Sequence, residues 1–313
     1  MNRQDALWTS TRTAVIRAAA SIAAATLILA NGMAATPALD AKAIGDASGA
    51  AAAATPDGVV KIGWPRTDVT VTVDGMKLLP AAGLGSWAAF APMENGAMLM
   101  GDTVVFEDEV DAAIDAAFAH GLEVTGLHNH FFHDTPKVYF MHLGGEGKPE
   151  ALAAGVKSVW DAIRAVRTAH AQPATSFGDK VPAPGHVDAA TISKIVGQPT
   201  VDVQGVAKIT IGRSGTMQGM AVGGSMGLTT WAAFSGGDAL AAMDGDFIMS
   251  ADEVQPVLHA LRKAGVHVVA LHNHMIGTQP DFYFTHFWST GKAQDLARAL
   301  RAALDAQAGV AKP

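Results

Sequence analysis

An internal duplication is the feature that most constrains the fold of this chain. The tetrapeptide Leu-His-Asn-His occurs at residues 127–130 and again at 271–274, 144 positions later. The same offset relates the Trp-Ala-Ala-Phe segments at 87–90 and 231–234, and the Gly-Asp pairs at 101–102 and 245–246. A register kept over so many landmarks predicts two copies of one structural unit.

The duplication also predicts the organisation of the chain. We expect a first repeat over residues 36–168 and a second over 187–313, joined by a linker at 169–186 that is rich in proline and glycine. Residues 1–35 have the layout of a secretory signal peptide, with Arg3, Arg12 and Arg17 before an apolar run at 18–30 and small residues after it. We expect cleavage near residue 34 or 35, and therefore a periplasmic or secreted protein.

Each copy shows the same order of elements. Several strands precede an amphipathic helix, which in the second copy opens with the capping box Ser-Ala-Asp-Glu at 250–253. Two short β-branched and apolar runs follow, and a second helix closes the unit. This order predicts an α+β fold, a sandwich related to the split β-α-β plan, with the two units related by a pseudo-twofold axis. The sequence leaves open whether their sheets join edge to edge or pack face to face.

Composition restricts the partners. The chain has a net charge of −7 and no basic stripe, so nucleic acid is not an expected partner. The apolar run at 18–30 is too short for a comfortable membrane span, so we expect none after signal cleavage. The chain contains no cysteine, which excludes disulfides, thiolate metal sites and cysteine nucleophiles. The oligomeric state stays open.

Histidine is the residue type that indicates a functional site. Seven of the 12 histidines fall in the two windows at 128–142 and 272–286. Residues at i and i+2 of a strand share a face, so His128 and His130 should converge on one ligand, as should His272 and His274. Imidazole is the usual protein ligand of zinc, copper, nickel or iron where thiolates are absent. The alternatives are histidines that hydrogen-bond to a small molecule and histidines that are purely structural.

The third histidine of each window is harder to place. A tight hairpin would put His142 opposite Val124, about 13 Å from His128, so it would not join the site automatically. The further candidates are acidic: Asp102 and Asp246, which follow glycine, and Glu109 and Glu253. The candidate metal ligands are therefore His128, His130, His142, His272, His274, His286, Asp102 and Asp246.

These motifs resemble the LppY/LpqO family, also called the DUF1259 family, of exported bacterial proteins. The resemblance lies in the Gly-Asp pairs, in Val-Thr-Gly-Leu-His-Asn-His-Phe-Phe at 124–132 and Tyr-Phe-Met-His at 139–142, and in their counterparts in the second copy. Some members of the family look like lipoproteins, but a chain without cysteine cannot carry that lipid anchor. The resemblance implies no established activity and no catalytic residue.

Three functional hypotheses follow. The first is an exported protein whose histidine pairs, with Asp102 and Asp246, bind a transition metal or a small ligand. The second is a metal- or histidine-dependent hydrolase or lyase. The third is a non-catalytic binding protein of the cell envelope with structural histidines.

Overall fold

A computed structural model describes residues 38–310, so the expected signal peptide lies outside the described residues. The first repeat contains α1 (Ala41–Ser48), β1 (Ala52–Ala54), β2 (Val60–Pro65), β3 (Thr72–Val73), β4 (Met76–Lys77), β5 (Gly85–Met93), β6 (Gly96–Phe106), α2 (Val110–Ala119), β7 (Glu123–Asn129), β8 (Asp134–Thr135), β9 (Val138–Gly147) and α3 (Pro149–Ala169). The second contains α4 (Ala189–Val196), β10 (Thr200–Val203), β11 (Val206–Gly212), β12 (Gly215–Met217), β13 (Met220–Val222), β14 (Thr229–Gly237), β15 (Leu240–Met249), α5 (Ala251–Lys263), β16 (His267–His272), β17 (Thr278–Gln279), β18 (Tyr283–Gly291) and α6 (Ala293–Ala308).

Both repeats contribute to one antiparallel sheet of 12 strands. Its order is β1-β2-β5-β6-β9-β7-β16-β18-β15-β14-β11-β10, so the second half repeats the first in reverse. The two halves meet where Leu127 of β7 pairs with Leu271 of β16, and these residues are equivalent in the two repeats. The predicted α+β duplication and its pseudo-twofold relation are confirmed, and the sheets join edge to edge.

The helices cover one face of this sheet. Among the described residues, a single apolar cluster holds buried side chains from all six helices, including Ile44 of α1, Val156 of α3 and Leu300 of α6. Strand residues of the same face, such as Leu127 and Met141, complete the cluster. Because side chains alternate along a strand, the neighbouring His128 and His142 belong to the opposite face.

Local sequence explains how the helices begin. Helix α5 carries the predicted capping box, in which the backbone N–H of Ser250 donates to Glu253 Oε2 at 2.9 Å. Pro149 opens α3, where its missing N–H costs no helical hydrogen bond. Helices α1 and α4 were not predicted. Each has eight residues, which is too short for the apolar periodicity to be distinct.

The face opposite the helices is only partly covered. Two small sheets lie there, β4-β3-β8 in the first repeat and β13-β12-β17 in the second. Each accompanies a small apolar cluster that includes residues of the large sheet, such as Phe140 in the first repeat and Phe284 in the second. The histidine windows lie on this face.

Side chains from α5 reach the first repeat on the helix side. Gln255 accepts from the backbone N–H of Val124 at 3.2 Å and donates to its carbonyl oxygen at 2.9 Å. Arg262 makes two hydrogen bonds of 2.9 Å with Asp115. These contacts fix the two repeats to each other in addition to the joined sheet. None of the helices in residues 38–310 is long and apolar enough to cross a membrane.

Candidate metal centre

Strand pairing brings an aspartate and a histidine together in each repeat. Asp102 of β6 lies opposite His142 of β9, and Asp246 of β15 lies opposite His286 of β18. Two further histidines of each group come from the neighbouring strand or from just beyond its end. His128 lies in β7 and His130 follows it, while His272 ends β16 and His274 lies two residues later. We name the two groups cluster 1 (Asp102, His128, His130, His142) and cluster 2 (Asp246, His272, His274, His286).

The expectation that His142 lies about 13 Å from His128 is wrong. His142 pairs with Gly126, two residues from His128, and the Nε2 atoms of the two histidines are 2.8 Å apart. A wider loop changes the register, because Asp134 and Thr135 leave the hairpin to pair with β3. The ladder shifts by one residue only beyond the pair of His142 with Gly126, between Gly126 and Val124.

In cluster 2 the ligand atoms lie close enough together that the group could hold a metal ion. Each of its four residues offers one ligand atom, and these four atoms all lie within 4.8 Å of one another. A four-coordinate zinc ion with bonds of about 2 Å separates its ligand atoms by roughly 3 Å, so small side-chain movements would close the set around an ion. The Nε2 atom of His274 is 3.2 Å from Asp246 Oδ2.

The aspartate of each cluster has one buried carboxylate oxygen without a hydrogen-bond partner. Asp246 is only 2% exposed, and its Oδ1 atom is buried with no hydrogen-bond partner. Asp102 Oδ1 in cluster 1 is also buried without a hydrogen-bond partner. A buried carboxylate oxygen without a partner costs free energy, and a bound cation would remove that cost. Burial also raises the pKa of Asp102, against the opposing effect of the neighbouring imidazoles.

Backbone carbonyl groups orient several of the rings. His128 Nδ1 lies 3.3 Å from the carbonyl oxygen of Asn129, and His272 Nδ1 lies at the same distance from that of Asn273. His286 Nδ1 is 3.3 Å from the carbonyl oxygen of Gly245. With its proton on Nδ1, each ring presents an unprotonated Nε2. Metal-binding histidines generally show this arrangement.

The remaining histidine of each cluster lies just beyond a strand end, supported by an aromatic ring. His130 stacks on Phe140, with centroids 3.3 Å apart and planes at 6°, and His274 stacks on Phe284 at 3.5 Å and 11°. Burial lowers the pKa of both imidazoles, so the neutral, metal-binding form is favoured. Phe140 and Phe284 are therefore part of the candidate site, a role that the sequence did not indicate.

Two other sequence candidates lie elsewhere. Glu109 forms a buried ion pair with Arg66, and Glu253 pairs with Arg213 beside its helix cap. Neither glutamate belongs to a cluster. One acidic residue near cluster 2 was missed: Asp244 lies two residues before Asp246 on the same face, and burial raises its pKa. The simple alternation of the strand would have indicated it.

Both clusters lie on the same face at the centre of the sheet. Two strand spacings separate β9 from β16, so His142 and His272 are attached to strands about 10 Å apart. A cavity of about 610 Å³ is lined by His128 and His142 of cluster 1 and by His272 of cluster 2. The two clusters are therefore separate sets of ligands that border one cavity.

The sequence matches one protein family in both repeats. The model of the family described as "Domain of Unknown Function (DUF1259)" matches residues 42–162 and 190–306. The chain belongs to the DUF1259 family. The predicted resemblance is confirmed, and the two matched segments coincide with the two halves of the sheet.

Other comparisons add little. No curated protein matches the chain. Among solved structures, it is similar to PduB, a trimeric bacterial microcompartment shell protein, with 12% identity over 82% of this chain and 89% of that one, and a TM-score of 0.20. EutL from Clostridium perfringens (13%, 68% and 80%) and EtuB from Clostridium kluyveri (11%, 82% and 89%) also give TM-scores of 0.20. Scores this low carry no argument about fold or function.

Proposed function

We propose that this DUF1259 protein binds divalent transition-metal ions through cluster 2 and through its counterpart, cluster 1. The observation that carries the proposal is the convergence of four ligand atoms, from Asp246, His272, His274 and His286, within 4.8 Å of one another. The unpartnered Oδ1 atom of Asp246 supports it, because a cation would supply the missing interaction.

The ligand set restricts the choice of metal. Three imidazoles and one carboxylate suit zinc, iron, nickel or copper, whereas calcium and magnesium prefer oxygen ligands throughout. The absence of cysteine from the chain removes the thiolate ligands that select softer ions. Three neutral imidazoles leave the aspartate as the one negative ligand in cluster 2, so a bound divalent ion would keep a net positive charge.

The test is the metal content of the purified protein. We expect close to two metal ions per chain by mass spectrometry, after exposure to zinc and removal of loosely bound ions. Asp246→Asn and His286→Ala should lower the content by one ion per chain, and Asp102→Asn should do the same through cluster 1.

The matched control is His186→Ala. His186 is exposed and pairs with Asp202 away from both clusters, so this change should leave the metal content unaltered. Content far below one ion per chain, or content that the cluster variants do not change, would contradict the proposal.

We also propose that the protein acts outside the cytoplasm, in the periplasm or in the medium. This proposal rests on the basic residues, apolar run and small residues at 1–35. Expression of the whole gene product in a bacterium should yield a mature chain that begins near residue 35 or 36, as read from its intact mass. A full-length chain retained in the cytoplasm would oppose export and leave the metal proposal unaffected.

A hydrolase or lyase is the second candidate function. The cavity beside His272 favours it, because an enzyme needs space for a substrate next to its metal ion. A bound metal would supply an activated water or polarise a carbonyl group there. The binding proposal does not depend on this activity.

A further inference from the structure

A cavity at the junction of the repeats is bordered by both clusters. Its volume is about 610 Å³, which is the size of sites that bind small molecules. The first repeat contributes Thr125, Gly126, His128 and His142 to its lining, and the second contributes His272 and the loop that follows it. The cavity exists because the two repeats share one sheet.

The two repeats differ in sequence at this point of the sheet. The ladder between β7 and β9 shifts between Val124 and Gly126, so Thr125 lies at a bulge. Gly126 has no side chain, and a Cβ atom there would lie 3.0 Å from Cδ2 of His142. In the second repeat Ala270 occupies this position, beside the equivalent bulge. In the first repeat the His142 ring therefore lies directly against the backbone, where the second repeat carries a methyl group.

The lining indicates the chemistry of a ligand. Hydrogen-bonding groups come from Thr125, Asn273 and Tyr283, while Met275 and Phe282 supply apolar surface. Among the described residues, no lysine or arginine lines the cavity, and its one carboxylate belongs to Asp281. A phosphate or sulfate group would find only the proposed metal ions to attract it and no cationic side chain, whereas hydroxyl and carbonyl groups would also find hydrogen-bonding partners.

We propose that this cavity binds a small uncharged molecule with hydroxyl or carbonyl oxygens, which reaches the metal ions of both clusters. This inference rests on the proposed metal binding and names the class of ligand for the same site. The His128 and His142 rings border the molecule on one side, and His272 borders it on the other.

The experiment uses the full chain loaded with cobalt(II), whose visible absorption reports changes in coordination. Acetohydroxamate is the probe: in solution at neutral pH it is the uncharged acid, and it chelates a metal ion through two oxygens after losing a proton to solvent. Inorganic phosphate is the comparison. We expect a saturable change of the spectrum with acetohydroxamate, at concentrations at least tenfold below those at which phosphate changes it.

Two matched variants locate the binding. Thr125→Trp should fill the cavity and weaken acetohydroxamate binding at least tenfold while cobalt stoichiometry stays unchanged. Val269→Trp is the control, because Val269 occupies the equivalent bulge of β16 and lines a different groove. It should leave the affinity within about twofold of the unaltered protein.

Each other outcome overturns the inference. Equal affinity in the two variants would mean that the probe reaches the metal by another route. Phosphate that binds as tightly as acetohydroxamate would refute the ligand class. If cobalt stays bound but its spectrum does not respond to the probe, the inference about the cavity is wrong and the proposed metal binding stands. If the protein does not retain cobalt, both are wrong.

Discussion

Glu109 and Glu253 occupy equivalent positions of the two repeats, but we expect their replacement to cost different amounts of stability. Glu109 lies at the start of α2 and is fully buried, as is its partner Arg66, which is 1% exposed. Two hydrogen bonds of 2.9 Å join them, and the Phe106 backbone N–H donates to the same carboxylate. In the second repeat, Arg213 pairs with Glu253 but is 26% exposed.

Glu109→Gln keeps the size of the side chain and removes its charge. Arg66 then remains buried, with Asp68 and the carbonyl oxygen of Val104 as its remaining partners. Arg167, which is 5% exposed and also pairs with Glu109, keeps Asp108. Breaking a buried ion pair on one side costs about 3 to 5 kcal/mol, and we expect the lower figure because Asp68 remains. Glu253→Gln should cost about 1 to 2 kcal/mol, because water reaches Arg213 and replaces part of the interaction.

The assay is urea unfolding followed by circular dichroism, with both variants and the unaltered protein measured at pH 7. The comparison is valid if the dependence of the unfolding free energy on urea is the same for all three. Equal losses, or a greater loss for Glu253→Gln, would refute the argument that burial of the arginine decides the cost.

Three further predictions concern other parts of the molecule. His259 stacks on Phe118 of the first repeat at 3.7 Å, and burial lowers its pKa. The contribution of the neutral ring to stability is therefore complete above the pKa of the unfolded chain, 6.5, and is lost as pH falls through the lower pKa of the folded protein. The unfolding midpoint of His259→Phe should therefore fall less between pH 7 and 5 than that of the unaltered protein. Gln255→Ala leaves both backbone groups of Val124 without this partner and should cost about 1 to 3 kcal/mol in urea unfolding, whereas the exposed Gln294→Ala should cost less than about 0.5 kcal/mol. Removal of bound metal by a chelator should lower the melting temperature by about 10 °C relative to metal at 100 times its Kd, because each of the two sites then stabilises the fold by about 2.7 kcal/mol. An unchanged temperature in calorimetry would contradict metal binding to the folded state.

The duplication made most of the fold predictable. A register of 144 residues requires equivalent elements in the two repeats, and the strand order of the sheet shows that equivalence directly. Helix α5 was predictable because its cap and its buried face, with Val254, Leu258 and Leu261, are both local signals. The edge between β7 and β16 was not predictable, since the pairing of distant strands depends on surfaces formed only after each repeat folds.

The site was predictable as a set of residues but not as a geometry. Residue types and spacing indicated all eight members of the two clusters. The position of His142 depended on the departure of Asp134 and Thr135 into a small sheet, which widens the loop. The partner of His142 is therefore Gly126 and not Val124, and a tight hairpin drawn from sequence alone placed this histidine too far away.

The duplication also explains why the two clusters are similar without being equivalent. The ring centroids of the first two histidines lie 5.1 Å apart in each cluster, so the strands hold both sets alike. The surroundings differ, because Asp244 beside cluster 2 corresponds to Met100, and Ala270 corresponds to Gly126. Cluster 2 therefore has an additional carboxylate nearby, while in cluster 1 the His142 ring packs against the backbone of Gly126. A metal ion in cluster 2 would lie in the more negative environment, and an ion in cluster 1 would adjoin the shared cavity through two of its ligands, His128 and His142.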